Sequence, residues 1–346
     1  MMSEKFIQLM IIVLTLSACN KASQNTEVIP ESELNLTKID SLNTNFEVEN
    51  YIRKVNSRYK EFELRRIQDF DRGYKSDSLT KKMANQLKIT KAFYKTDFDN
   101  NGFTDILVIG DNKDCFGETS CSFNSMVLMN FDNDSIKVID VVKDHSTSIV
   151  PVIEKENGQS FLIINTPNQI NYKNEKYRDE TIDKLIYKYG SFIEVNANPI
   201  THNIETIEYS TGPCYGTCPI FQLHIDADKS ATFNAGLYNF DKNHDLFNPN
   251  GDRTFKTKLS NEKYQEIIEL INYLDFENLK NNYWVDWTDD QSCTLKIVYD
   301  GGKVKLIKDY GLIGTYGLTR LYELLFELRF NQDWQELTTS NNNSQN

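Results

Sequence analysis

Long hydrophobic runs, histidine and an excess of basic charge are all scarce in this sequence. The one sustained apolar run, Phe6 to Leu16, is too short for a membrane-spanning helix, which needs about 20 apolar residues. Only four histidines occur, His145, His202, His224 and His244, and none stands in paired metal-ligand spacing, so the familiar zinc patterns are excluded. Lys and Arg number 38 against 50 Asp and Glu, a formal net charge of -12. An acidic surface excludes nucleic acid as a partner, because phosphates demand a basic face. Also missing are Gly-x-Ser-x-Gly, His-Glu-x-x-His and a phosphate-cradling glycine-rich loop, the signatures of several hydrolase and nucleotide-binding classes.

What is present begins with an address. Lys5 precedes the short apolar run, the pattern of a secretory signal peptide. The segment ends in Leu16-Ser17-Ala18-Cys19, which resembles the lipobox of bacterial lipoproteins. That resemblance implies a signal peptide over 1–18 and acylation of Cys19 as the mature N-terminus. Anchoring through more than one acyl chain is physically stable. Asn20 lacks the Asp that can signal inner-membrane retention in some bacteria, which favours the outer membrane over the inner, with the body in the periplasm or at the cell surface. Residues 19–45 are polar and without periodicity, which predicts a flexible tether, and 337–346 reads as a disordered tail. The roughly 290 residues between suggest two domains, 46–200 and 201–336. The expected fold class is α+β, each domain an antiparallel sheet with packed helices.

In 46–200, apolar spacings of three and four over Phe46, Val48, Tyr51, Ile52, Val55 and Tyr59 predict a helix. A second opens at Ser76-Asp77-Ser78 and runs to about Leu87. The period then shifts towards two, predicting strands at 89–95, 104–110, 125–131, 136–142, 149–154, 160–165, 183–189 and 191–195. Asp97-Phe98-Asp99-Asn100-Asn101-Gly102-Phe103-Thr104-Asp105 places oxygen-bearing side chains at relative positions 1, 3, 5 and 9 with glycine at 6. Such spacing suits calcium, which takes six to eight hard oxygens at a flexible distance. The candidate ligands are Asp97, Asp99, Asn101, Asp105 and the Phe103 carbonyl. Position 12 is Val108 and a strand follows, so this is no EF-hand; it resembles the loop of integrin-type propeller repeats, over about fifteen residues and in one clear copy. The competing reading is a metal-free, Asx-rich turn. Cys115 and Cys121 bracket one short loop, which in an oxidising compartment predicts a disulfide.

In 201–336 the strands are clearer: 204–210, 221–225, 230–235 and 254–257, a helix opened by Ser260, a hairpin of 293–299 and 303–308 through Asp300-Gly301-Gly302, and a last helix from Gly317 to Phe330. Between the first two strands lies Gly212-Pro213-Cys214-Tyr215-Gly216-Thr217-Cys218-Pro219. Its prolines and glycines exclude an ordinary helix. A Cys214–Cys218 disulfide is the expected state; pairing of either with Cys293, a metal site and a redox couple are the alternatives. This motif, followed by a helix, a hairpin and Lys308-Asp309-Tyr310-Gly311, resembles a bacterial domain family of unknown function over about 203–330. Cys293 departs from that family's usual pattern, and the resemblance implies no activity.

For function, Tyr283-Trp284-Val285-Asp286-Trp287 is the candidate contact surface, with Trp284, Asp286 and Trp287 foremost, since exposed aromatics mark interfaces. Lys308, Asp309 and Tyr310 form a second candidate. The expectation is a lipid-anchored, non-catalytic envelope module that binds a protein or glycan partner or scaffolds the surface. The alternatives are a hydrolase using the acidic and aromatic cluster 284–290 and a thiol-redox protein using Cys214 and Cys218.

Overall fold

The computed structural model describes residues 36–70, 75–112, 124–132, 135–143, 148–170, 175–239 and 253–337. The expected lipidation site Cys19, the Cys115–Cys121 bridge and nearly all of the tail lie outside these residues. Residues 32–346 form one compact unit. Among the described residues no helix is long and apolar enough to cross a membrane.

The α+β class holds. Helix α1 (Asn45–Val55) begins with a capping box, Thr44 accepting from the Glu47 amide while the Glu47 carboxylate reaches back to the Thr44 N–H, which satisfies two orphan donors. After it, β1 (Phe62–Leu64) and α2 (Lys75–Gln86) lead to the hairpin of β2 (Phe93–Thr96) and β3 (Asp105–Asn112). With β4 (Asn124–Asn130) and β5 (Ile136–Asp140) these strands make a five-stranded sheet in which β1 and β2 share one edge of β3. Ile106-Leu107-Val108-Ile109 and Met126-Val127-Leu128-Met129 are fully buried. Their unbroken apolar runs have a simple cause: alternate side chains face opposite sides of the sheet, and both sides are covered. Ile106, Val108, Met126 and Leu128 pack with α1; Leu107, Ile109, Val127 and Met129 pack towards a second sheet.

That second sheet has four strands, β6 (Val150–Glu156), β7 (Gln159–Thr166), β10 (Thr181–Lys188) and β11 (Ser191–Glu194), in the order β11-β10-β7-β6. Between β7 and β10 lies a small ribbon of β8 (Gln169–Ile170) and β9 (Lys176–Arg178). The strands of 46–200 are thus shared between two main sheets. Asn157-Gly158 and Tyr189-Gly190 make the tight turns, all four residues having positive φ, as primed hairpin turns require.

The third sheet has eight strands in the order β16-β18-β17-β12-β13-β14-β15-β19: β12 (Ile204–Thr211), β13 (Phe221–Asp226), β14 (Ser230–Ala235), β15 (Arg253–Lys258), β16 (Asn282–Trp284), β17 (Ser292–Tyr299), β18 (Lys303–Tyr310) and β19 (Gln335–Glu336). Burial alternates residue by residue along β14 and β17, so one face meets the helices α3 (Asn261–Tyr273) and α4 (Tyr316–Asn331). Ser260 and Thr315 cap these helices, accepting from Lys263 and Leu318. Leu318, Leu321, Leu324, Leu325 and Leu328 of α4 are completely buried, each contributing about 1.5–3 kcal/mol. The parallel pairing of β16 with β18 was not evident from sequence, because three residues show no period.

The cores reach across residue 200. Ile193 of β11 belongs to the cluster around α3 and α4, and Tyr316 of α4 belongs to the cluster between the first two sheets. One close approach is critical to the first sheet: a Cβ on Gly110 would lie 2.2 Å from the Glu63 carbonyl oxygen and 2.6 Å from the Phe62 ring. Gly110→Ala is therefore expected to pry β1 from β3 and lower stability by about 1–3 kcal/mol; a denaturant midpoint equal to wild type would contradict the packing described.

Candidate functional site

Topology gathers the motif-bearing loops at one end of the eight-stranded sheet. The 212–220 loop joins β12 to β13, the 285–291 loop joins β16 to β17, and the 311–315 loop joins β18 to α4, all at this end. Cys214 and Cys218 form a disulfide, while Cys293 is a buried free thiol; the alternative pairing through Cys293 is thereby overturned. Burial pushes the Cys293 thiol up to about 12, so no thiolate forms at neutral pH. Gln291, which drew no notice in the sequence, bridges the loops, its Nε2 donating to the carbonyls of Gly212 (3.1 Å) and Pro219 (2.8 Å). The Tyr215 amide donates to the Asp289 carbonyl at 3.0 Å, leaving the Tyr215 side chain outside at 86% exposure.

Asp309 and its neighbours have structural tasks. The buried Asp309 carboxylate accepts from Ile313 (3.0 Å) and Gly314 (2.8 Å) and so folds the 311–314 loop. Burial raises its pKa, and those two amides oppose the rise. Tyr310 accepts at its hydroxyl from the Asp290 amide, 3.2 Å away. Gly311 has φ +94°, and a Cβ there would meet the Val285 side chain at 2.8 Å, so only glycine fits the turn.

Beside this sheet end opens a cleft of about 640 Å³. One wall is Lys280, Asn282, Tyr283, Trp284 and Asp286; the floor is Gly314, Thr315 and Tyr316; the far wall brings Lys143, Arg178, Asp183 and Glu194 from the preceding strands and loops. The structure thus places two of the expected surface residues, Trp284 and Asp286, on the cleft. Trp287 does not line it, and its indole N–H donates to Asp290 at 3.0 Å. Trp284 is 65% exposed. Lys143 Nζ donates to the Gly314 carbonyl at 2.7 Å and lies 4.4 Å from the Tyr316 ring centroid, a cation–π distance. Glu194 accepts from the amides of Tyr316 (2.6 Å) and Gly317 (2.9 Å). Asp183 has no hydrogen bond to its carboxylate among the described residues; burial raises its pKa, the Lys143 ammonium opposes that, and Glu194 adds to it. Lys143, Asp183 and Glu194 come from segments far from 284 in sequence, and no local motif marks them.

The second candidate lies elsewhere, in the hairpin loop between β2 and β3. Asp97, Asp99 and Asp105 offer carboxylate oxygens that all lie within 4.8 Å of one another. Each also receives hydrogen bonds: Gly102 N–H on Asp97 (2.9 Å), Asn101 N–H and Nδ2 on Asp99 (3.3 and 3.1 Å), and on Asp105 the N–H of Phe98 and of Asn130 at the end of β4 (2.8 and 2.7 Å). Asn101 Oδ1 accepts from the Phe103 amide at 2.8 Å. Asn100 and Gly102 have positive φ, which wraps the loop round its own carboxylates. Burial, then the Asp97 charge, pushes Asp99 up to about 6, and burial pushes Asp105 up to about 8. Three hard carboxylates gathered this closely, with their charges poorly solvated, fit a hard divalent cation such as calcium. Phe98, completely buried, packs edge-on against Phe192 at 4.9 Å, so the loop is pinned between the first two sheets.

With this geometry in place, comparison with known proteins returns one family. Residues 205–329 match the family described as Domain of unknown function (DUF6438). No curated protein and no solved structure matches the chain. The DUF6438 match takes in β13 to β18, α3 and nearly all of β12 and α4. It therefore contains the disulfide loop and the Trp284 wall of the cleft, whereas Lys143, Arg178, Asp183 and Glu194 stand before it.

Proposed function

We propose that this chain is a lipid-anchored protein of the bacterial cell envelope, acylated at Cys19, that works as a non-catalytic binding module. Its ligand-contact region is the cleft beside the DUF6438 domain, and a calcium ion staples the 97–105 loop. The observation that carries the binding role is the meeting of an exposed tryptophan, Trp284, and the carboxylate of Asp286 with Lys143, Asp183 and Glu194 around one concave space. A concave, aromatic-walled space with a few convergent polar groups is the usual form of a ligand site. The sequence between Cys19 and the first described residues supplies length for a tether, and an acidic body with net charge -12 stays off anionic head groups except through its anchor.

Calcium would be held by the carboxylates of Asp97, Asp99 and Asp105, with Asn101 and the Phe103 carbonyl as further oxygens. Bound there, the ion supplies charge compensation to a buried loop rather than chemistry. For a site of about 10 μM affinity, 1 mM calcium adds roughly 2.7 kcal/mol to stability. The melting temperature in 1 mM calcium is accordingly expected several degrees above that in chelator, with the difference abolished in Asp97→Ala; equal melting in both conditions would remove the metal from the account.

The anchoring claim has its own test. Cells fed labelled palmitate should incorporate it into the wild-type chain and not into Cys19→Ser, and the variant should leave the membrane fraction. A Cys19→Ser chain that stays membrane-bound contradicts acyl anchoring.

A further inference from the structure

The chemistry of the cleft is specific enough to name a class of ligand, an inference that rests on the cleft being the binding region. Its charged groups are mixed: Asp179, Asp183, Glu194 and Asp286 against Lys143, Arg178 and Lys280. A strongly anionic ligand would meet four carboxylates, and a polycation would meet three bases. Several of these charges are already engaged within the protein: Lys143 on Gly314, Glu194 on the first amides of α4, and Asp179 with Lys176. Arg178 also reaches the Trp284 carbonyl. Beside these charges the lining carries neutral hydrogen-bonding groups, among them Thr166, Thr181 and Asn282. Asp183 adds a carboxylate with no hydrogen bond among the described residues.

Against this polar surface stands one large flat apolar group, Trp284, on β16 at the edge of the eight-stranded sheet. Pairing with β18 fixes its backbone, Asn282 opposite Lys308 and Trp284 opposite Tyr310, and the side chain is 65% exposed. A ligand that suits both features has hydroxyls around its rim, C–H faces that lie flat on an aromatic ring, and no net charge. At about 640 Å³ the cleft falls in the range of small-molecule sites. We infer that the cleft binds a short segment of an uncharged saccharide chain. Trp284 is the stacking platform, the amide of Asn282 meets a sugar hydroxyl, and Asp183 accepts a hydroxyl hydrogen bond on the far wall. No bond is made or broken in this role.

The test uses the full-length chain in a detergent without a sugar headgroup. It is labelled and applied to an array of neutral, acidic and amino-bearing oligosaccharides, and any glycan that binds is then titrated by isothermal calorimetry. Binding is expected to neutral oligosaccharides, with affinity reduced roughly tenfold or more in Trp284→Ala, the scale of a lost aromatic anchor, and largely restored in Trp284→Phe. Trp287→Ala, off the cleft, should bind as wild type. Binding to none of the neutral glycans overturns the saccharide assignment, as does neutral binding that Trp284→Ala leaves unchanged. A preference for acidic or amino-bearing glycans that is lost in Trp284→Ala also overturns it, while leaving the cleft as the binding region. A protein ligand competed away by Trp284→Ala would have the same meaning.

Discussion

The joint on which the rest depends is the carboxylate of Glu194 at the start of α4. Its two oxygens take the amide hydrogens of Tyr316 and Gly317 at 2.6 and 2.9 Å. The first amides of a helix have no partner within it and carry the positive end of its dipole, so a carboxylate there is worth up to about 2 kcal/mol in a partly buried setting. The approach needs glycine: a Cβ on Gly317 would lie 2.1 Å from Leu274 and 3.3 Å from the Glu194 oxygen. The final helix of the eight-stranded sheet is thereby tied to the last strand of the four-stranded sheet.

Other contacts reinforce the same joint. Arg320, one turn along α4, donates to the Tyr189 carbonyl at 2.8 Å and pairs with Glu323. From the five-stranded sheet, Lys137 Nζ donates to the Gly190 carbonyl at 2.6 Å. The Tyr189-Gly190 turn is thus gripped by a helix on one side and a strand on the other. Tyr316 then extends into the core between the first two sheets, where its hydroxyl donates to the Val141 carbonyl at 2.9 Å. The cleft is a consequence of this joint. Its floor is the 314–316 segment that Glu194 and Asp309 hold down, and its two walls come from inside and outside the DUF6438 match. A DUF6438 domain by itself carries only half of the cleft.

Much of the fold was legible because it is local. Ser260 needed only its neighbouring residues to mark a helix start, and Asp300-Gly301-Gly302 marked a turn by composition, which the positive φ of all three residues bears out; the caps Thr44 and Thr315 passed unnoticed in the sequence. The helix of 46–59 came out slightly long, since Asn56 is extended and Ser57–Tyr59 continue as a separate 3-10 turn. Strand β2 begins four residues later than the periodicity suggested, after the Ile89 to Ala92 connection. The short strands β1 and β16 escaped because three residues carry no period. Of the site, Trp284 and Asp286 were legible as an exposed aromatic and acidic pair. Lys143, Asp183, Glu194 and Gln291 were not: Lys143, Glu194 and Gln291 each acquire their meaning from a partner about 70 to 170 residues away, and Asp183 from the cleft that distant segments enclose. Lys308, Asp309 and Tyr310 drew attention by composition, and two of them proved to hold turns.

The central claim is that Glu194 joins the sheets into one body and so builds the cleft. Calorimetry of the chain from Asn20 onward, wild type beside Glu194→Ala, tests it most directly. The account predicts a single cooperative transition for wild type, and for the variant a lower midpoint with a transition that broadens or splits as the sheets part. Two separate transitions in the wild-type protein, or a variant that melts as wild type does, would contradict it.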